Sequence, residues 1–256
     1  MMTSIMTMKC AYHCLGPSRM ASVALTSMAT PTTSATTRQN DFMNPVGFVT
    51  AQYDCMRVKR GGMTWWAPPC SLWVGICKHS TKRSPICPLG ARPRTKKVIR
   101  HNRLVSRMCV MLEYCFERGI YFIIEQPRSS LMLKHPRLRR LLRKHGAKLV
   151  SNELGSLGAE TLKPVLFYGT APFMHKLEGR CTPEQRRKLK SSGHKTCFVY
   201  YNAKGKLSYN GRGKLLKDTQ SYPSGLGCAV GLAYSEHRAT CSNVTTFREK
   251  EHNTGT

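Results

Sequence analysis

The chain has few acidic residues. Thirteen Asp and Glu stand against 41 Lys and Arg, which gives a formal net charge of +28 over 256 residues. The first 40 residues contain no acid at all. A positive field of this size attracts polyanions, and nucleic acid is the polyanion that strongly basic proteins bind. The shortage of acid therefore points away from an enzyme of small metabolites and towards DNA or RNA as a partner.

Metal-binding cysteine pairs and long apolar runs are also missing. The 12 cysteines are scattered, without a Cys-x-x-Cys pair or a Cys/His set at zinc-finger spacing. Several lie in apolar runs, where cysteine packs as a small hydrophobic residue. No apolar stretch approaches the ~18–20 residues of a membrane span. We expect a reduced intracellular protein without structural metal or membrane contact, in the nucleus or, from its acid-free start, in an organelle.

Composition divides the chain into a central folded region and two polar ends. Residues 1–40 are rich in Ser, Thr, Met and Ala, which is typical of a disordered leader or of an organelle transit peptide. Residues 41–235 carry the apolar runs of a folded domain. Residues 236–256 are polar, and we predict a disordered tail there.

Apolar periodicity predicts a βαβ unit early in the folded region. Met63–Ala67 has the pattern of a short buried strand, and residues 104–116 repeat apolar side chains at i, i+3/i+4 spacing, which indicates a helix. Gly119 fits the end of that helix, and Ile120–Ile124 is the next strand. A strand, a helix and a strand in this order build a parallel sheet. Further elements are predicted at 136–145 (helix), 148–150 and 164–168 (strands), 182 onwards (helix), 198–216 (hairpin) and 226–234 (helix).

Two short blocks stand where the first two strands end. The first is Trp-Trp-Ala-Pro-Pro-Cys-Ser over residues 65–71, and the second is Phe-Ile-Ile-Glu-Gln-Pro over residues 122–127. Chemistry gathers at the carboxyl ends of strands in an open α/β sheet, so Cys70 and Glu125 are expected side by side. Cys70 is a candidate nucleophile and Glu125 a candidate acid. Each also has a structural interpretation, Cys70 as a buried turn residue and Glu125 as an ion-pair partner of Arg128.

The two blocks resemble the C5-cytosine methyltransferases, and the resemblance covers roughly residues 41–234. Residues 67–71 look like the family's Pro-Pro-Cys-Gln loop, whose cysteine attacks the base. Residues 122–127 look like its strand ending in Glu-Asn-Val, whose glutamate holds the cytosine. Residues 158–169 look like its Gly-Val-Pro-Gln-x-Arg-x-Arg segment, and residues 222–230 are similar to its closing block, which completes the cofactor pocket. The four blocks occur in the family's order.

The resemblance implies a fold, a cofactor and a set of site residues. The implied fold is α/β and Rossmann-like, of the class I S-adenosylmethionine-dependent methyltransferase type, with a mostly parallel sheet, helices on both faces and an incomplete N-terminus. The implied catalytic residues are Cys70, Glu125 and Lys163. The implied contacts to the cofactor, S-adenosylmethionine, are Asp41, Pro68, Pro69 and Gly227. Nucleic-acid phosphates are expected on Arg128, Arg137, Arg139, Arg140, Arg143 and Lys144.

Attack on cytosine by the implied mechanism requires a thiolate. A free cysteine thiol has a pKa of ~8.5, so a nearby cation is expected to favour its ionised form. The candidates for that cation are Lys78, Lys82, Arg83 and Arg128. Glu125 is expected to bond to N3 and the exocyclic amine of the ring while the sulfur adds. Because a base inside a duplex is out of reach, the target must be flipped out or single-stranded.

The chain also departs from the family pattern. Ser71 replaces Gln, and Gln126-Pro127 replaces Asn-Val. Residues 1–40 show no glycine-rich loop to cradle the methionine part of the cofactor, and the chain has no room for a large target-recognition domain. The sequence therefore leaves three hypotheses open. They are a cytosine C5-methyltransferase with a cysteine nucleophile, a catalytically inactive relative that binds nucleic acid, and a truncated open reading frame of the mobile-element type.

Overall fold

The structure is a computed structural model that describes residues 41–192, 197–203, 205, 207–211 and 222–253. The predicted leader lies outside these ranges, as does part of the predicted hairpin. The chain is an α/β protein. Its described helices are α1 (Pro45–Arg57), α2 (Lys78–Thr81), α3 (Lys96–Glu117), α4 (Pro136–Lys144), α5 (Pro183–Ser191) and α6 (Ser224–Asn253). Its described strands are β1 (Met63–Trp66), β2 (Tyr121–Pro127), β3 (Lys148–Glu153), β4 (Pro164–Gly169), β5 (Cys197–Tyr201) and β6 (Leu207–Gly211).

The main sheet is mixed, with the strand order β1-β2-β4-β3. β1 pairs in parallel with β2, whereas β4 pairs antiparallel with both β2 and β3. The prediction of a mostly parallel sheet is therefore corrected, because only one pairing among these strands is parallel. The link between β3 and β4, residues 154–163, explains the difference, since a parallel connection needs a crossover of about a dozen residues or more. Strands β1, β2 and β3 still run in one direction, so their carboxyl ends share one edge.

Helices cover both faces of this sheet. The α3 face is packed by α1, α3 and α4, and its core includes Phe42, Trp66, Leu112, Phe122 and Leu138. The α6 face is packed by α6 and the turns that follow β3 and β4, and its core includes Trp65, Ile123, Phe167, Leu226 and Val230. Side chains alternate along β2, so neighbouring residues reach opposite faces. The two tryptophans of the first block are therefore core residues, one on each face.

Helix α3 joins β1 to β2 and confirms the predicted βαβ unit. It is longer than the apolar pattern indicates because the Thr95 side chain caps it by accepting a hydrogen bond from the Val98 amide. Its buried side chains include Leu104, Val105 and Met108. Gly119 follows the helix with a φ of 67°, a conformation that glycine adopts without strain.

Helix α6 corrects the prediction of a disordered tail over residues 236–256. It continues to Asn253, whereas the apolar pattern indicated a helix over 226–234 only. No Gly or Pro occurs between Leu232 and Asn253, and a helix whose start is fixed by packing extends at little cost per residue. Glu236 also forms an ion pair with Lys176, which lies in the turn after β4.

The remaining described elements lie outside the main sheet. β5 and β6 pair antiparallel, in agreement with the hairpin predicted over 198–216. The capping box of Thr182 and Gln185 opens α5, as the sequence predicts. No helix within the described ranges combines the length and the apolarity that crossing a bilayer requires.

Two glycines of α6 provide a test of how closely this helix packs. A Cβ atom at Gly225 would lie 2.3 Å from the carbonyl oxygen of Leu157, whereas nothing lies within 4 Å of a Cβ atom at Gly231. We expect Gly225→Ala to lower the free energy of unfolding by roughly 1–3 kcal/mol, because the helix must move away from the turn. Gly231→Ala should raise it by about 0.5–1 kcal/mol, since alanine is the better helix former. Urea unfolding measures both values, and equal effects would contradict the close contact.

Candidate active site

The parallel pairing of β1 with β2 brings the two sequence blocks together. Trp66 pairs in register with Ile124, so the turn that carries Cys70 begins next to Glu125. The Glu125 carboxylate is close enough to Cys70 to raise the pKa of its thiol. The structure thus places Cys70 beside Glu125, as the sequence predicts.

Gln126 fixes the turn of Cys70 to the end of β2. Its side chain is fully buried, and its Nε2 donates to the carbonyl oxygens of Pro68 at 2.9 Å and of Glu125 at 2.8 Å. Its Oε1 accepts a hydrogen bond from the Ser130 hydroxyl at 2.8 Å. The sequence shows Gln126 only as a departure from the family pattern. In the structure it is the side chain that joins the two blocks.

Glu125 is a buried carboxyl with one oxygen free. It is 5% exposed and lies on the α6 face. Its Oε2 accepts a hydrogen bond from the Tyr222 hydroxyl at 2.5 Å, whereas its Oε1 is buried and has no hydrogen-bond partner among the described residues. Burial raises the pKa of this carboxyl, against the opposing effects of Lys163 and of the Tyr222 hydrogen bond. Because Oε2 accepts from Tyr222, a proton on the carboxyl belongs on Oε1.

Tyr222 and Lys163 complete the surroundings of Glu125. Lys163 Nζ lies 4.9 Å from the centroid of the Tyr222 ring, and that ring packs edge-on against Trp65 at 6.3 Å between centroids. Burial and the nearby Glu125 raise the pKa of the Tyr222 hydroxyl, so it keeps its proton and acts as a donor. Lys163 has a φ of 28°, and such a backbone conformation costs of order 1 kcal/mol in a residue other than glycine.

Sequence reasoning missed Tyr222 as a site residue. It is 97 positions away from Glu125 along the chain, and its signal in the sequence was membership of the closing block at residues 222–230. The predicted catalytic residues Cys70, Glu125 and Lys163, by contrast, do lie together. The site is thus built from β1, β2, the start of β4 and the start of α6.

Cys70 carries a thiol rather than a thiolate at neutral pH. Burial, followed by the charge of Glu125, raises its pKa to about 11, and Lys163 acts in the opposite direction. The prediction that Lys78, Lys82, Arg83 or Arg128 supplies the favourable charge is therefore corrected to Lys163. Arg83 is buried elsewhere, with its guanidinium carbon 3.5 Å from the centroid of the Trp73 ring. This stacking holds the arginine inside the loop after β1.

The residues that the resemblance assigns to the cofactor make contacts within the chain. Asp41 forms an ion pair with Arg100 of α3, and the residue after it is packed in the core of the α3 face. Gly227 is a buried residue of α6, on the opposite face. Pro68 gives its carbonyl oxygen to Gln126, and Pro69 follows it in the same turn.

The cations expected to hold phosphates lie in two places, at the end of β2 and on α4. Arg128 is exposed just beyond β2, and α4 packs on the α3 face with its basic side chains exposed, namely Arg137, Arg139, Arg140, Arg143 and Lys144. Lys144 forms an ion pair with Glu113 of α3. None of the other α4 cations is ion-paired among the described residues. They therefore form a separate positive surface.

A comparison with protein-family models finds no match, and comparisons with curated proteins and with solved structures find none either. No group of three or more His, Cys, Asp or Glu within the described ranges is placed to hold a metal ion. The chemistry of the site therefore has to be argued from the side chains around Cys70 and Glu125.

Alkylation of Cys70 tests the electrostatics of the site. We expect its rate with iodoacetamide to keep rising beyond about pH 9, because the thiolate is the reacting form and its pKa is about 11. Glu125→Gln removes the negative charge that raises this pKa, so the profile should move to lower pH. Lys163→Met should move it to higher pH. Mass spectrometry of the Cys70 peptide gives the rates, and shifts of both variants in one direction would contradict the arrangement.

Unfolding of a Gln126 variant tests the link between the blocks. Gln126→Leu keeps the volume but leaves the Pro68 carbonyl and the Ser130 hydroxyl without this partner, so we expect a loss of about 2 kcal/mol in the free energy of unfolding. Gln52→Leu is the control, because Gln52 is a partly exposed residue of α1. A Gln126→Leu protein that is no less stable than the control would show that the link contributes nothing.

Proposed function

We propose that this chain carries a nucleic-acid cytosine C5-methyltransferase-like site, in which Cys70 adds to carbon 6 of the base. The observation that carries the proposal is the free Oε1 of Glu125, buried beside Cys70. A buried polar atom without a partner costs about 1–3 kcal/mol, so this oxygen favours a polar ligand. Cytosine presents N3 and an exocyclic amine on one edge, which suits a carboxyl group with one oxygen free.

The proposed chemistry begins with recognition of the ring. Glu125 takes up a proton when the base binds, and its Oε1 then donates a hydrogen bond to N3, while Tyr222 keeps the carboxyl oriented through Oε2. The Cys70 thiol loses its proton to solvent, its sulfur bonds to carbon 6, and the electron pair of the 5,6 double bond moves to carbon 5. The bond to N3 reduces the negative charge that builds up on the ring, and Lys163 favours the thiolate.

The resemblance implies that S-adenosylmethionine would supply the methyl group to carbon 5. The steps that the described residues support end at the nucleophilic carbon. A Rossmann-like fold of the class I methyltransferase type belongs to the same proposal. The β1–α3–β2 unit supports it, with reactive groups at the carboxyl ends of two parallel strands, and mixed sheets are common among doubly wound folds. An intracellular location, in the nucleus or, from the acid-free start of the chain, in an organelle, belongs to the same proposal.

A mechanism-based trap tests the proposal without a methyl donor. In 5-azacytosine a nitrogen replaces carbon 5, so the sulfur adds across the nitrogen–carbon 6 bond and the electron pair is neutralised by a proton from solvent. We expect a single-stranded oligonucleotide that contains 5-azacytosine to form a covalent adduct with the full chain, detected by mass spectrometry. Cys70→Ser should abolish the adduct in a protein whose circular dichroism is unchanged.

Cys77→Ser is the matched control for this trap. Cys77 follows Cys70 in the same loop and is also partly exposed, so a generally reactive loop would label both. An adduct that persists in Cys70→Ser and disappears in Cys77→Ser would exclude Cys70 as the nucleophile. We also expect Glu125→Gln to slow adduct formation, because an amide is a weaker hydrogen-bond donor than a carboxylic acid to a ring nitrogen that gains negative charge.

A second function is favoured by the high pKa of Cys70, which opposes formation of the thiolate. In that case the chain binds nucleic acid through its cations and has lost the chemistry. A folded wild-type chain that forms no 5-azacytosine adduct would support this function, provided that it binds the same oligonucleotide. That binding should weaken steeply as salt rises, since phosphate contacts release counterions.

A further inference from the structure

A cavity lies on the α3 face, between α4 and the sheet. Its volume is about 280 Å³, close to the ~300 Å³ at which small-molecule sites begin. Its walls are apolar, formed in part by Leu133, Leu142 and Tyr168, and cations stand around it, namely Lys134, Arg139 and Arg143. We call this cavity the α4 groove.

The cations of the α4 groove have no acidic partners. Lys134, Arg139 and Arg143 are exposed, and none of them forms an ion pair among the described residues. No Asp or Glu lines the groove. Cations that converge without counter-charges create a local positive potential, which a phosphate group would neutralise. The rim of the groove is therefore complementary to a polyanion.

The apolar part of the α4 groove suits a planar ring. Tyr168 is half-buried, and burial raises the pKa of its hydroxyl, so the ring is neutral. Leu133 and Leu142 are almost fully buried, which gives the groove a fixed aliphatic wall. An aromatic side chain beside a positive rim is the arrangement on which bases of single strands stack. The volume of the groove, about 280 Å³, suits one nucleotide.

We propose that the α4 groove binds one nucleotide of a single-stranded nucleic acid, with its phosphates on Lys134, Arg139 and Arg143 and its base against Tyr168. This site is distinct from that of Glu125. Ile124 and Tyr168 are paired and belong to the α3 face, whereas Glu125 and Phe167 are paired and belong to the α6 face. The inference concerns binding alone and holds whether or not Cys70 is a nucleophile.

Charge reversal in the groove tests the phosphate contacts. The probe is a fluorescein-labelled oligothymidylate, which contains no cytosine, titrated by anisotropy with the full chain. We expect Arg139→Glu/Arg143→Glu to weaken binding by about tenfold or more and to lower the slope of log K against log salt by about 1.4, that is ~0.7 for each lost phosphate contact. The matched control, Arg187→Glu/Lys188→Glu in α5, changes the net charge equally at exposed positions and should weaken binding less than threefold, roughly. Equal losses in the two variants would overturn the site.

Substitution of Tyr168 tests the base contact. Tyr168→Leu removes the ring but keeps an apolar residue in β4, and we expect a loss of about fivefold or more in affinity, the lower limit for one stacked base. Tyr168→Phe should bind as wild type. If Tyr168→Leu also binds as wild type while its unfolding curve is unchanged, the base does not stack there and the proposal fails. A duplex of the same length bound as tightly as the single strand would overturn it too.

Failure of the Cys70 chemistry would not alter these results. We expect Cys70→Ser to bind the oligothymidylate with unchanged affinity, because Cys70 does not line the groove. A loss of binding in Cys70→Ser equal to that in Arg139→Glu/Arg143→Glu would show that the strand is held at the Glu125 site instead.

Discussion

The structure depends on the parallel pairing of β1 with β2. This pairing aligns two strand ends that lie far apart in the sequence, and Gln126 fixes the alignment through the Pro68 carbonyl. Cys70 and Glu125 become neighbours only because both conditions hold. The hydrogen bond from Tyr222 then ties α6 to the same point, so the helix that closes one face of the sheet also orients the carboxyl. The same few contacts therefore stabilise the packing of the sheet and set the geometry of the site.

The scarcity of Asp and Glu in the chain is reflected in the ion pairs of the structure. Four acids in the described part form ion pairs: Asp41 with Arg100, Glu113 with Lys144 and His145, Glu153 with Arg186, and Glu236 with Lys176. Glu125 differs, because it is buried and keeps one oxygen free. Few acids are left to neutralise the surface, and the arginines of α4 remain unpaired. The scarcity of acidic residues thus explains both the positive surface and the isolation of the Glu125 carboxyl.

The sequence predicted the elements better than their arrangement. The βαβ unit, the basic helix and the meeting of Cys70 with Glu125 follow from local periodicity and from the rule that parallel strands end at one edge. The reversal of β4 and the length of α6 were not predicted, since both depend on how segments pack. Nor could spacing show that Gln126 would bind Pro68 or that Tyr222 would reach Glu125. The sequence around Arg83 is typical of an exposed loop, yet the Arg83 side chain stacks on Trp73 and is buried.

The central claim is that Glu125 recognises cytosine, and the most direct measurement is made on its carboxyl group. Carbon-13 NMR of glutamate-labelled protein, with Glu125→Gln to assign the signal, would follow this carboxyl as nucleotides are added. We expect deoxycytidine monophosphate to shift the Glu125 signal and thymidine monophosphate to leave it unchanged, because thymine presents a donor at N3 and lacks the amine. Equal shifts with both nucleotides, or none with either, would contradict cytosine recognition at this site.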